Sequence, residues 1–286
     1  MTAVELIATC WTSSGDVAPL APDERSPFDI ADRVAAVATT GWAGIGIAQD
    51  DVRHVRDTIG YAKLGELIHE AGLRYTELEL LTDWWETGER RRRSDEVRAV
   101  LFDAAESLGA THIKIGTAFG EALTSIDLLI SPLRDLADEA AGRGLRVALE
   151  PMPFSMVASV PMGADLVRAV DRPSCGLLVD SWHVFRAGTS LADLRASLTP
   201  DIVFAAELND AAAARVGTLF EDTINERLLC GEGSFDLTGL IRTLTELGYR
   251  GPWGVEIISR SHRALPLESA LQRAHDTAAS VIRSAL

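Results

Sequence analysis

Five times along this chain an apolar stripe at helical spacing runs into a glycine and then into a short apolar segment. Ile30, Val34, Val37 and Ala38 precede Gly41 and the segment from Trp42 to Ile47. Leu64, Leu67 and Ile68 precede Gly72 and the segment from Arg74 to Leu80. Val97, Leu101, Ala104 and Leu108 lead to Gly109 and Thr111 to Gly116, while Leu129, Leu133, Leu136 and Ala140 lead to Gly142 and Arg146 to Glu150. The last copy runs through Leu237, Leu240, Ile241, Leu244 and Leu247 to Gly248 and Trp253 to Ile257. Spacings of three and four place each apolar set on one helical face, and the glycine supplies the left-handed residue that ends a helix.

Adding Val4 to Cys10, Cys175 to Asp180 and Ile202 to Glu207 makes eight strand candidates, most of them separated by helical patterns. Strands alternating with helices pair in parallel through right-handed crossovers. Runs such as Gly176-Leu-Leu-Val179 and Ile202-Val-Phe-Ala-Ala206 lack a polar face, as strands covered on both sides do. Eight such strands in a chain of this length predict a closed (β/α)₈ TIM barrel rather than an open doubly wound sheet. An apolar content of 47% is ample for one large core. The last helical pattern, with Leu267, Leu271, Ala274, Ala278 and Ile282 on one face, closes the outer ring, and residues 1–286 read as a single domain.

The formal charge of -15 repels a polyanion and disfavours a nucleic-acid partner. Cys10, Cys175 and Cys230 are odd in number and far apart, which predicts reduced thiols and a cytoplasmic location. The apolar stretch from Val4 to Cys10 is too short for a signal core, and no run reaches membrane-spanning length, so no membrane partner is expected.

In barrels of this kind chemistry sits at the C-terminal strand ends. Four consecutive predicted strands end there in an acid: Glu150 in Val-Ala-Leu-Glu-Pro, Asp180 in Leu-Leu-Val-Asp-Ser, Glu207 in Phe-Ala-Ala-Glu-Leu and Glu256 in Trp-Gly-Val-Glu-Ile. Any one could be a solvated residue or a helix cap. Together on one rim they need compensation, because like charges a few ångströms apart repel strongly in a partly buried site. One divalent cation supplies it, and an all-oxygen ligand set selects Mn²⁺ first, with Mg²⁺ or Co²⁺ as alternatives.

His183, three residues beyond Asp180, reaches the same cavity, where it could donate to a substrate oxygen or supply a proton; a satisfied helix-start histidine is the alternative. Leu208 to Gly233 is long for a barrel loop and contains Arg227, whose guanidinium could neutralise an enediolate; a surface arginine beside Glu226 is the plainer reading. Lys114, Trp11, Trp182 and Met152 are candidate substrate contacts at strand ends, as are Trp84, Trp85 and Phe154. Snorkelling explains the lysine equally well, and ordinary packing any one of the others. The run Arg90 to Arg93, flanked by Glu86, Glu89, Asp95 and Glu96, reads as a solvated loop and helix start. No role falls to His54, His69, His112, His262 or His275.

These residues resemble the sugar phosphate isomerase/epimerase family of xylose isomerase-like barrels, which includes inosose dehydratases and tagatose-type epimerases. The likeness spans nearly the whole chain and is strongest in Ala148-Leu-Glu-Pro-Met-Pro153, Leu178-Val-Asp-Ser-Trp-His183, Glu207-Leu-Asn-Asp210, Cys230-Gly-Glu-Gly233 and Gly254-Val-Glu-Ile-Ile-Ser259. The resemblance implies that Glu150, Asp180, Glu207 and Glu256 bind one metal, that Glu150 and Glu256 also form the acid/base pair, and that His183 and Arg227 contact substrate oxygens. Many relatives carry histidine or glutamine where Glu207 stands and proline where Cys230 stands, so Glu207 has either a ligand role or another one.

The expected reaction is proton transfer through an enediolate on a small polyhydroxylated carbonyl compound, giving an isomerase or epimerase. Expulsion of a β-hydroxyl after the same first step would make a dehydratase of a keto-inositol or dehydroshikimate-like substrate. A non-catalytic sugar-binding barrel is the third alternative. A nuclease of the same barrel type would need a histidine-rich zinc site that six histidines and an acidic surface do not supply. The resemblance also points to a homo-oligomer, a dimer or a tetramer.

Overall fold

The computed structural model describes residues 4–120, 123 and 125–286. Eight strands close on themselves: β1 (Leu6–Ala8), β2 (Gly44–Ala48), β3 (Tyr75–Leu81), β4 (His112–Ile115), β5 (Arg146–Leu149), β6 (Cys175–Asp180), β7 (Val203–Leu208) and β8 (Trp253–Val255). Every neighbouring pair is parallel, and β1 returns to β8 through Leu6↔Trp253, Ile7↔Gly254 and Ala8↔Val255. Helices at Ile30–Thr39, Gly88–Leu108, Asp127–Gly142, Val160–Val170, Leu237–Glu246 and Leu267–Ala285 are among those that carry the crossovers. None of the described helices is long and apolar enough to cross a membrane.

The helix-glycine-strand unit works as expected with one exception. Gly41, Gly72, Gly109 and Gly248 adopt positive φ where their helices end, Gly109 at 68°. In the fourth copy Gly142 is still helical, and Gly144 takes the left-handed conformation at 70°. The arginines 90–93 lie in the first turns of the helix Gly88–Leu108, as a solvated helix start, with Arg92 paired to Glu89 and Glu96 and Arg93 to Glu89.

Strand side chains alternate between two faces. Leu78, Ile113, Ile115, Val147, Leu149, Leu177, Val179, Ala206, Leu208 and Val255 pack against the helices in one continuous core. Their neighbours in sequence point into the barrel, where Ala148, Leu178 and Ala205 form a small apolar floor. Two residues further along β5, β6 and β7, in the same inward direction, stand Glu150, Asp180 and Glu207.

Candidate active site

The four strand-end acids meet. One carboxylate oxygen from each of Glu150, Asp180, Glu207 and Glu256 lies within 4.8 Å of those of the other three, and all four residues are buried. Ladder bonds fix where they stand: Glu150 N donates to Ile115 O at 2.9 Å, and Glu256 N donates to Leu208 O at 3.1 Å. Glu207 lies opposite Gly254 on β8, and a Cβ there would stand 2.7 Å from Glu207 Cγ, so glycine is what lets this carboxylate into the barrel.

Asp180 does two jobs. Its Oδ1 caps the helix Ser181–Arg186 by accepting from His183 N at 3.0 Å, while Oδ2 accepts from Asn209 Nδ2 at 2.7 Å and from Arg227 Nη1 at 3.0 Å. Burial alone would raise its pKa, but Arg227 and His183 outweigh burial and hold it below the ordinary aspartate value. The same Arg227 Nη1 donates to Glu256 Oε2 at 2.8 Å, and Arg227 Nε and Nη2 donate to Thr223 Oγ1 at 3.1 and 2.8 Å. Arg227 is thus a buried clamp between two acids, not a surface arginine.

Burial pushes Glu256 up to about 8, with Glu79 and Glu150 adding to the effect and Arg227 and Lys114 opposing it. Burial also drives Glu207 well above the ordinary range despite Lys114. His183 Nε2 lies 3.3 Å from Glu150 Oε1, and the ring is held edge-on by Trp182 and Phe154 at centroid distances of 5.2 and 5.7 Å.

Glu150 and Glu256 open onto a cavity of about 350 Å³, whose wall does not include Asp180 or Glu207. Trp11, Met152 and Phe154 line it together with Glu150, His183, Arg227 and Glu256. Four of the expected substrate contacts do not. Trp182 is fully buried behind His183, its Nε1 donating to Asp222 Oδ2 at 3.2 Å, so it supports the histidine ring and Arg227 rather than touching the cavity. Lys114 is fully buried inside the barrel, ion-paired with Glu207 and donating to Glu79 Oε1 at 3.1 Å. It neither lines the cavity nor snorkels to the rim, because four acids on other strands surround it. Trp84 is core as well, its Nε1 donating to Gly116 O at 2.8 Å, and Trp85 is absent from the wall.

Sequence reasoning missed Glu79, a buried residue of the cavity wall, and its strand neighbour Glu77. The signal was the alternation Glu77-Leu-Glu79 and His112-Ile-Lys114, which marks β3 and β4 as strands with a polar inward face. Thr223, which orients Arg227, and Asn209, which binds Asp180, also went unassigned. The long segment after β7 contains its own helix, Leu219–Asn225, from which Phe220, Thr223 and Ile224 enter the cavity wall. Asp222 ties that helix down by accepting from Trp182 Nε1, from Arg186 Nε at 2.9 Å and from Val216 N at 2.7 Å.

The donor set fits a single cation. Oxygens bound to one hard divalent ion at about 2.0–2.2 Å lie no more than roughly 4.4 Å apart, close to the spread of these four carboxylates. Glu207 Oε2 and Glu150 Oε1 are buried without a hydrogen-bond donor, an arrangement that costs stability unless something positive meets them.

Known proteins have related sequences. A 3-dehydroshikimate dehydratase from Pseudomonas aeruginosa is 29% identical over 238 residues, which cover 82% of this chain and 37% of that protein. An inosose isomerase from Halalkalibacterium halodurans is 29% identical over 156 residues, 54% of this chain and 54% of that protein. The chain therefore spans little more than a third of the length of the first relative. Among solved structures, an IOLI protein described as binding a zinc atom superposes with a TM-score of 0.84 at 19% identity, covering 99% of both chains. That likeness is one of fold. The family model described as xylose isomerase-like TIM barrel matches residues 34–281, and with eight parallel strands closed around a strand-end acid cluster, the chain belongs to that family.

Proposed function

We propose that this chain is a divalent-metal-dependent isomerase or epimerase that moves a proton on the carbon beside the carbonyl of a small, polyhydroxylated substrate. The observation that carries the reading is the meeting of Glu150, Asp180, Glu207 and Glu256, two of which, Glu150 and Glu256, face a cavity that also presents His183 and Arg227. The four carboxylates would hold the cation, Mn²⁺ first and Mg²⁺ or Co²⁺ as alternatives. When bound it would supply Lewis acidity, lowering the pKa of the C–H between two substrate oxygens.

The chain's own groups account for the rest. Glu150 and Glu256 are the proton acceptor and donor, and both face the cavity. In the absence of a cation, burial raises Glu256 to about 8. Arg227, held by Thr223, and His183 Nε2 present donors to the oxygens on which enediolate charge develops. Trp11, Met152 and Phe154 cover the carbon face and exclude water. Partner nucleic acid and membrane are not part of this reading, and a dimer or tetramer is.

The test is solvent deuterium incorporation into ketoses and keto-inositols with Mn²⁺ supplied, followed by proton NMR. Glu150→Gln and Glu256→Gln should each slow exchange by at least about 10²-fold; exchange persisting in both removes them from the proton-transfer role. The dehydratase-named relative, matched over most of this chain, favours a second reading in which the same proton abstraction is followed by loss of a β-hydroxyl. Water loss from 3-dehydroshikimate, visible as a conjugated ultraviolet chromophore, would identify that outcome.

A further inference from the structure

Lys114 is the one lysine in the barrel interior among the described residues, and no part of the proposed proton transfer uses it. Its ammonium pairs with Glu207, donates to Glu79 Oε1 at 3.1 Å, and lies 4.0 Å from Glu77 Oε2 and 4.0 Å from Glu256 Oε1. The side chain has no exposure to water. On Glu207 the ammonium pairs with Oε1 and not with Oε2, and neither oxygen has a hydrogen-bond partner.

We propose that Lys114 is a resident counter-cation of the metal site: it neutralises Glu207 from behind, positions that carboxylate with one oxygen free, and holds down the affinity for a divalent ion. The inference rests on the metal-site reading above. Lys114 on Glu207 and Arg227 on Asp180 and Glu256 are the two fixed cations set against the four candidate ligands. Glu79 adds a further carboxylate on the cavity side of the same ammonium, and Glu77 another at 4.0 Å. A neutral side chain at 114 therefore makes the ligand set one charge more negative at ångström range, where solvent screens little. A purely structural lysine would not change affinity in that direction.

Isothermal titration calorimetry of the metal-stripped protein with Mn²⁺ decides it. Lys114→Gln should bind Mn²⁺ at least about tenfold more tightly than wild type. Glu207→Gln, which keeps the lysine and removes a negative ligand, should bind at least about tenfold more weakly. The double variant Lys114→Gln/Glu207→Gln restores the wild-type charge with a neutral, nearly isosteric pair and should recover at least about tenfold over Glu207→Gln. If Lys114→Gln does not fold, the comparison of the double variant with Glu207→Gln carries the test. Binding by Lys114→Gln no tighter than wild type, or a double variant as weak as Glu207→Gln, overturns the inference while leaving the metal site standing. A wild-type protein that takes up no Mn²⁺ overturns both.

Discussion

Replacing Arg227 with methionine removes the charge that lies 2.8 Å from Glu256 Oε2 and 3.0 Å from Asp180 Oδ2 while keeping much of the side-chain volume. At an effective dielectric constant near 20, each contact is about 6 kcal/mol of attraction. Desolvation of the guanidinium offsets much of that, and breaking a buried pair costs about 3–5 kcal/mol net, because the remaining charges are left uncompensated. For a chain of this size the melting temperature should fall by roughly 10 °C. The loss should depend on pH. Burial raises Glu256 to about 8 even beside the arginine and raises it further without it, while Asp180, which the arginine holds low against burial, is raised too once that support is gone. In the variant both carboxyls prefer the protonated form, so its deficit is small near pH 5.5 and largest near pH 8.5. Circular-dichroism melts in EDTA at the two pH values give the measurement, and saturating Mn²⁺ should restore part of the loss at pH 8.5. A melting temperature within about 2 °C of wild type at both pH values, or a larger deficit at the lower one, would refute the reasoning.

The metal-free wild type should itself lose stability as pH rises. Burial raises Glu256 to about 8 and Glu77 to about 7, so their contribution is fully present below the unfolded value near 4.5 and is lost as pH climbs through the folded values. Urea midpoints in EDTA should fall between pH 5.5 and 8.5 while the stabilisation by Mn²⁺ grows; a rising metal-free midpoint contradicts this. Asp222→Ala should leave Trp182, Arg186 and Val216 without their shared acceptor, at a cost of about 3 kcal/mol. Limited proteolysis between residues 212 and 226 should then accelerate, and cleavage no faster than in wild type would show that Asp222 does not hold the helix Leu219–Asn225.

The strand-end acids were legible because local grammar placed them. A strand that terminates in Val-Asp-Ser or Val-Glu-Ile points its acid to the rim whatever lies across the barrel, and parallel order then brings all such ends to one mouth. Trp182 was misjudged for a local reason too. It follows Asp180 by two residues, but the helix capped by Asp180 rotates its indole away from the cavity and His183 into it.

From the sequence alone came the eight-stranded cylinder, its helical sheath and the identity of the four rim acids, since period-3.6 and period-2 patterns report which faces must be buried. Tertiary structure decided what those acids face. Alternation assigns Glu77, Glu79 and Lys114 to one side of their strands, but only closure of the barrel brings an ammonium on β4 against a carboxylate on β7. Likewise only the folding back of the segment after β7 turns Arg227 from a loop residue into the clamp between Asp180 and Glu256. Partners far apart in the chain are chosen by the geometry of the enclosed space, and in that water-poor interior their charges act on one another with little screening.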